Sequence, residues 1–348
     1  MKVLMKGNEA LAEAAIRAGC HHFFGYPITP QTELAAYMSK RMPKIGGTYL
    51  QAESEVAAIN MVLGASAAGV RAMTSSSSPG VSLKGEGISY MAGSDLPALI
   101  INVQRGGPGL GGIQPSQADY WQATKATGHG DFQILVLAPS TVQEMVDLVS
   151  DAFDLADKYR MPAMILADGM LGQMMEPVSL PEEGERAPVQ KAWAACGHEG
   201  KRAHNIVNSL YLTPDKLEEL VKERFARYGQ IKQNEQRAEE YLVDDADVVV
   251  VAYGASSRVA RGAVNKAREM GLKAGLVRHV TLWPFPVDAL KRAAAHARNF
   301  LVVEMSMGQM VDDVRLAIDC KVPVHFFGRT GGMIPTPAEV LGQIQGLA

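Results

Sequence analysis

Short, wholly apolar runs alternate with helical patterns through most of this chain, and that alternation restricts its fold more than any other feature. Ala163 to Ala167 and Val248 to Ala252 are continuous apolar runs, and Pro97 to Val103 is rich in Ile, Leu and Val. A strand apolar on both faces is buried on both faces, the condition of a parallel sheet covered by helices. His22 to Gly25, Tyr49 to Ala52, Val70 to Thr74 and Gln133 to Leu137 read as further strands. Between them, Asn8 to Ala18 carries Leu11, Ala14, Ala15 and Ala18 at helical spacing, and Glu53 to Gly69, Ser82 to Ala92 and Thr141 to Lys158 also read as helices. The pattern predicts an α/β protein with doubly wound sheets.

With 348 residues, the chain has room for two domains at roughly 150 residues each. Composition shifts near Pro181. Residues 182–245 are charge-rich and form a connector with one long helix, started by Thr213 as N-cap, Pro214 at the first helical position and Asp215 at the positive dipole end. Its apolar stripe is Leu217, Leu220, Val221, Phe225 and Tyr228. Residues 246–348 form a second, smaller α/β unit, with strands at Val248 to Ala252, Lys273 to Val277, Phe300 to Val303 and Val324 to Phe327. The expected domains are therefore 1–181 and 246–348, joined by 182–245.

Hydrophobic residues make up 47% and charged residues 20%, which excludes a disordered chain. A net charge of -3 gives no footprint for nucleic acid or an anionic membrane. No apolar run reaches the ~18 residues of a membrane helix, and the N-terminus lacks the apolar segment of a secretory signal, so a cytoplasmic location is expected. The three cysteines, Cys20, Cys196 and Cys320, form no Cys-x-x-Cys pair. Neither a disulfide framework nor a four-cysteine iron–sulfur site is expected in this chain.

In open α/β sheets, ligands bind beyond the C-terminal ends of the strands. Four polar clusters fall there: Tyr26 to Pro30, Gln51 to Glu55, Thr74 to Gly80, and Gln104 to Gly112. Glu55 stands at the mouth of an apolar helix, where a carboxylate is suited to proton handling; equally, Glu53 and Glu55 could simply complement the helix N-terminus. Thr29, between two prolines, is either a directed hydroxyl or part of a plain turn. Arg105 ends a buried strand ahead of glycines, and is either a carboxylate clamp or half of a structural ion pair. Gly107 to Gly112 matches G-x-G-x-x-G, but Pro115 and its neighbours argue for a loop in place of the helix a dinucleotide fingerprint opens. Cys196, His198 and His204 read as a solvated loop, not a metal site. Met170, Met174 and Met175 read as soft packing.

Gly25-Tyr26-Pro27-Ile28-Thr29-Pro30, Gln51 to Ala58, Thr74 to Gly80 and Gln104-Arg105-Gly106-Gly107-Pro108 occur in that order. Together they resemble the alpha subunit of 2-oxoacid:ferredoxin oxidoreductases, over nearly the whole chain. Ile113 to Gln117 and Leu166 to Pro177 resemble the branched-chain type, which acts on 2-oxoisovalerate (3-methyl-2-oxobutanoate). The resemblance implies two doubly wound α/β domains, a thiamine diphosphate pyrimidine-binding domain and a transketolase C-terminal-like domain. It implies conversion of a 2-oxoacid and coenzyme A to acyl-CoA and carbon dioxide, with reduction of ferredoxin, in anaerobic metabolism.

Thiamine diphosphate would be shared with a beta subunit that binds its diphosphate and Mg2+. Gamma and ferredoxin-like subunits would complete the complex, with the iron–sulfur clusters in partner subunits. The sequence agrees in having no Gly-Asp-Gly cassette; Asp168-Gly169 lacks the preceding glycine. By the same resemblance, Glu55 would hydrogen-bond the aminopyrimidine, Thr29 and Arg105 would hold the 2-oxoacid, and Pro27, Ser77 and Ser78 would line the cofactor. No metal ligand is expected in this chain. Three other substrates (2-oxoglutarate, pyruvate and aryl pyruvates) and a non-catalytic scaffold role stay open.

Overall fold

The structure, a computed structural model, describes residues 2–125, 127–182 and 190–348. Residues 183–189 of the predicted connector lie outside them. Two large sheets dominate. The first has seven strands in the order Thr281–Trp283, Leu135–Leu137, Ala163–Asp168, Leu99–Gln104, Ala72–Ser76, His22–Gly25 and Thr48–Gln51. All neighbours in it are parallel except Thr281–Trp283, which runs antiparallel to Leu135–Leu137. The second has five strands in the order Val324–Gly328, Asn299–Glu304, Val248–Tyr253, Ala274–His279 and Ala238–Tyr241. Only Ala238–Tyr241 is antiparallel there.

The apolar runs are the central strands. Every residue of Leu99–Gln104, Ala163–Asp168 and Val248–Tyr253 is buried, because helices cover both faces of each sheet. Several helix starts are fixed by short side chains that accept an otherwise unpaired backbone N–H. Ser54 accepts from Ala57 N ahead of the helix Glu55–Ala67, and Thr141 accepts from Glu144 N ahead of Val142–Tyr159.

The sheets exchange strands across the change in composition. Ala238–Tyr241, from the charged stretch, closes one edge of the second sheet, and Thr281–Trp283 closes an edge of the first. Covering those edges leaves fewer unpaired backbone groups at the sheet margins.

The long helix runs from Pro214 to Asn234, and its packing differs from the predicted stripe. Arg224, Tyr228 and Ile231 are its buried residues, while Leu217 and Phe225 face outward. Arg224 replaces an apolar contact with a bond to the Gly93 carbonyl at 3.1 Å and a 3.4 Å contact with Asp95. Thr213 precedes the helix, but its hydroxyl accepts no capping hydrogen bond.

Groups at the C-terminal ends of the two sheets bond to one another. Gln117, in the chain beyond Leu99–Gln104, donates from Nε2 to Tyr253 O at 2.8 Å and accepts from Met305 N at 3.0 Å. Asp168 accepts from Met170 N and Leu171 N, and from the backbone of Ala255 in the second unit. Burial pushes its carboxyl up to about 6 against those bonds. The loops that carry the candidate residues therefore lie between two packed domains.

Candidate active site

Three strand ends of the first sheet build one polar region. After His22–Gly25 the chain turns through Tyr26 to Pro30, with a cis Thr29–Pro30 bond. Gln31 ties that turn to the next strand but one: it donates to Tyr26 O at 3.3 Å and accepts from Ser75 Oγ at 2.7 Å. After Thr48–Gln51 the helix begins at Glu55, two residues later than the pattern suggested, because Ser54 and not a preceding residue is the cap. Glu53 is thus exposed and outside the helix, while Glu55 is its first residue and only 6% exposed.

After Ala72–Ser76 comes the helix Ser78–Gly93, whose first turn touches both neighbours. On one side is Glu55. A Cβ placed on Gly80 would stand 2.7 Å from Glu55 Oε1 and 2.2 Å from Ser76 Oγ, so only glycine fits beside that carboxylate. Glu55 accepts no hydrogen bond among the described residues. Ser76 Oγ and Ser77 Oγ are buried with no partner among the described residues. Buried polar atoms are normally paired, so a cluster of such atoms suits a ligand that completes them.

On the other side is Arg105. Ser78 Oγ accepts from Arg105 N at 3.0 Å and donates to Asp119 Oδ2 at 2.6 Å. The Arg105 guanidinium donates to Thr29 O at 2.9 Å and to Leu110 O at 3.2 Å, and its buried Nε has no partner among the described residues. A cleft of about 600 Å³ opens here, lined by Ser78, Arg105, Asp119 and Gln122 from the first domain and by Met307 and Gln309 from the second. Burial holds the Asp119 carboxyl above its usual value; the bonds from Ser78 and Asn102 and the Arg105 charge oppose that shift.

The structure thus gathers Glu55, Ser77, Ser78 and Arg105 around one helix start and brings Thr29 to Arg105 through its backbone carbonyl. Pro27 lies exposed on the same turn. Gly107 to Gly112 opens no helix: the loop closes through Gly112 N to Gly106 O at 2.9 Å and lines the cleft. His198 and His204 lie ring to ring at 4.0 Å, and no cluster of three or more possible metal ligands occurs among the described residues. Met170 and Met174 pack on the core, whereas Met175 is largely exposed on the strand Met175–Ser179. Sequence reasoning missed Asp119 and Lys84. Lys84 was marked by its place among the small and apolar residues Gly80, Val81, Gly85 and Ile88 on the buried face of its helix. Asp119 had no such signal.

No helix of the described residues is long and apolar enough to cross a membrane. Residues 13–241 match the family described as pyruvate flavodoxin/ferredoxin oxidoreductase, thiamine diphosphate-binding, and residues 246–340 match pyruvate:ferredoxin oxidoreductase core domain II. The chain is 50% identical to ketoisovalerate oxidoreductase subunit VorB of Methanothermobacter thermautotrophicus, covering 99% of this chain and 97% of that one. It is 36% identical to 2-oxoglutarate synthase subunit KorA of Methanothermobacter marburgensis, covering 99% and 98%.

Among solved structures, 2-oxoglutarate:ferredoxin oxidoreductase from Magnetococcus marinus, with 2-oxoglutarate, coenzyme A and succinyl-CoA bound, superposes with a TM-score of 0.88 at 28% identity. This chain is covered to 99% and spans 65% of that one. A split-gene transketolase superposes at 0.62 with 14% identity, a likeness of fold. A thiamine diphosphate-binding domain followed by a transketolase-like unit is what the two sheets build, and the chain belongs to the 2-oxoacid:ferredoxin oxidoreductase family as an alpha-type subunit.

Proposed function

We propose that this chain supplies the aminopyrimidine half of a thiamine diphosphate site in an enzyme that converts 2-oxoisovalerate and coenzyme A to acyl-CoA and carbon dioxide while reducing ferredoxin. The observation that carries the reading is Glu55: a buried carboxylate at a helix start, free of hydrogen bonds among the described residues, against a glycine and two unpartnered serine hydroxyls. That arrangement fits a flat heterocycle with a ring nitrogen to pair. Thiamine diphosphate, when bound, supplies the nucleophilic carbon and the electron sink for decarboxylation.

Glu55 then pairs with ring nitrogen N1′, accepting its hydrogen bond, and biases which nitrogen of the aminopyrimidine carries hydrogen. Ser77 and Pro27 border the ring. Arg105 has an unused Nε–H and further Nη hydrogens for the carboxylate of a 2-oxoacid, and the Thr29 hydroxyl donates to the same substrate. The hydroxyl of Ser78 is committed to Arg105 and Asp119, so Ser78 acts by holding the helix start.

The substrate class follows the degree of similarity. Ketoisovalerate oxidoreductase subunits are 50% and 49% identical over nearly the whole chain, against 36% to 39% for 2-oxoglutarate synthase subunits. The partners in this reading are a beta subunit that holds the diphosphate and Mg2+, and gamma and ferredoxin-like subunits that carry iron–sulfur clusters, all in the cytoplasm. The test is turnover of the co-expressed complex on a panel of 2-oxoacids with a viologen acceptor, together with analysis of bound thiamine. The highest kcat/KM is expected for branched-chain 2-oxoacids. A preference for 2-oxoglutarate or pyruvate refutes the substrate, and a complex without thiamine refutes the chemistry.

A further inference from the structure

Lys84 has no exposed surface, although it is a lysine in the middle of the helix Ser78–Gly93. Its ammonium makes one hydrogen bond among the described residues, to Thr74 Oγ1 at 3.1 Å. A buried ammonium without a carboxylate in reach is among the least tolerable groups in a protein interior.

The surroundings identify the carboxylate. Gly80 lies one turn before Lys84 on the same helix face, and its missing Cβ is the gap that Glu55 Oε1 and Ser76 Oγ occupy. Thr74 and Ser76 project from one face of the strand Ala72–Ser76, since side chains alternate along a strand. Thr74, Ser76, Gly80, Lys84 and Glu55 therefore enclose one buried polar compartment under two helix starts.

Burial draws the Lys84 ammonium down to about 8, and the Glu55 charge opposes that fall. Other ionisable groups stand on the elements packed around it. Glu53 is exposed ahead of the helix Glu55–Ala67, and Glu86 is exposed and bonded to Tyr90 on the outer side of the lysine's own helix. His22 and Tyr49 lie on the neighbouring strands, His129 is exposed against Tyr90, and Asp119 is bound to Ser78 and Asn102. None of these groups bonds to Lys84 among the described residues, and its hydrogen bond goes to Thr74.

We propose that Lys84 is a positioning residue for the thiamine-dependent reaction: acting through Glu55, its buried ammonium keeps that side chain a carboxylate, ready to pair with the hydrogen-bearing ring nitrogen. The proposal rests on the thiamine reading of Glu55. Lys84 itself touches neither cofactor nor substrate. Its charge fixes the state in which Glu55 waits for the cofactor.

The test uses the co-expressed complex with Lys84→Met, which keeps the length and removes the charge. A second variant, Lys84→Gln, also keeps a donor toward Thr74 in case the first does not assemble. Infrared difference spectra of the cofactor-free complex near neutral pH should show a carboxylic-acid carbonyl band in the lysine variants that vanishes in Glu55→Gln/Lys84→Met. With thiamine diphosphate bound to full occupancy, exchange of its C2 proton should slow roughly tenfold near neutral pH, the scale of one charge acting over a few ångströms in a protein interior. The slowing should shrink as pH rises.

No acid band and an unchanged exchange profile in an assembled variant would overturn the role of Lys84. Glu55→Gln alone separates the two readings: if it leaves C2 exchange at the wild-type rate, the thiamine reading is what has failed.

Discussion

Arg105 Nη1 donates to the backbone carbonyl of Thr29 at 2.9 Å, so the arginine fixes the turn that carries the threonine hydroxyl. Its other terminal nitrogen donates to Leu110 O at 3.2 Å and pins the glycine-rich loop on the opposite side of the cleft. The guanidinium thus ties two loops together and still has an Nε–H that is unpaired among the described residues. The sequence left a carboxylate clamp and half of a structural ion pair as alternatives for Arg105. Its terminal nitrogens bond to backbone carbonyls and to no carboxylate among the described residues, while Asp119 stands close enough for the two charges to act on each other.

Replacing Arg105 by Met should therefore lower kcat/KM for every 2-oxoacid by a similar factor, because all share the carboxylate. Loss of a buried charged hydrogen bond corresponds to about 2–5 kcal/mol. Arg105→Lys should recover part of the loss, since a point charge remains while the two loop anchors go. Steady-state kinetics on several 2-oxoacids check this. An unchanged kcat/KM in Arg105→Met would confine the residue to holding the loops.

Glu55→Gln should preserve assembly and lose about two orders of magnitude or more in turnover, the size of a general acid–base contribution. Glu53→Gln is the internal comparison. Glu53 is exposed and precedes the cap residue Ser54, so its loss should change little. NMR of the C2 proton after quenching in deuterated water reads both variants. Slowing in Glu53→Gln with none in Glu55→Gln would assign the role to the wrong carboxylate.

The isolated chain should not retain thiamine diphosphate. The unpartnered groups beside Glu55 suit a ring, and they offer no compensation for a diphosphate. Calorimetry of the lone chain with magnesium should show no binding in the micromolar range. Tight binding would place the whole cofactor site here.

Much of this was legible because the signals are local. Apolar runs such as Val248 to Ala252 can only be buried strands, and Tyr26 to Pro30 can only be a turn, so the fold class and the strand-end loops followed directly. Other features depend on contacts distant in sequence. Thr281–Trp283 looks like part of the second sheet until its pairing with Leu135–Leu137 is seen. The face of Pro214–Asn234 is set by Asp95 and Gly93, more than a hundred residues earlier, which no periodicity within the helix reveals. Asp119 carries no motif; its place is set by bonds from Ser78 and Asn102, both distant in sequence. The boundaries proposed at 181 and 245 follow composition, which does not register a strand lent from one unit's sheet to the other.

His279 offers a test of the second sheet that is independent of the chemistry. Its ring is fully buried, neither nitrogen has a partner among the described residues, and it packs edge-on against Phe285 at 4.7 Å. Burial, with the charge of Arg278 beside it, lowers its proton affinity from 6.5 to about 3. The unfolded chain therefore binds a proton between pH 6.5 and 3 that the folded chain refuses, so stability is full above 6.5 and falls as pH drops through that window. The slope integrates to roughly 5 kcal/mol at most, at about 1.4 kcal/mol per pH unit. His279→Phe keeps a flat ring against Phe285 and loses no hydrogen bond, so stability near pH 7 should hold or rise while the acid slope flattens. Denaturant melts from pH 7 down to pH 4 measure the difference. Parallel curves for wild type and variant would mean that His279 is not the acid-sensitive group and that the slope belongs to the carboxylates.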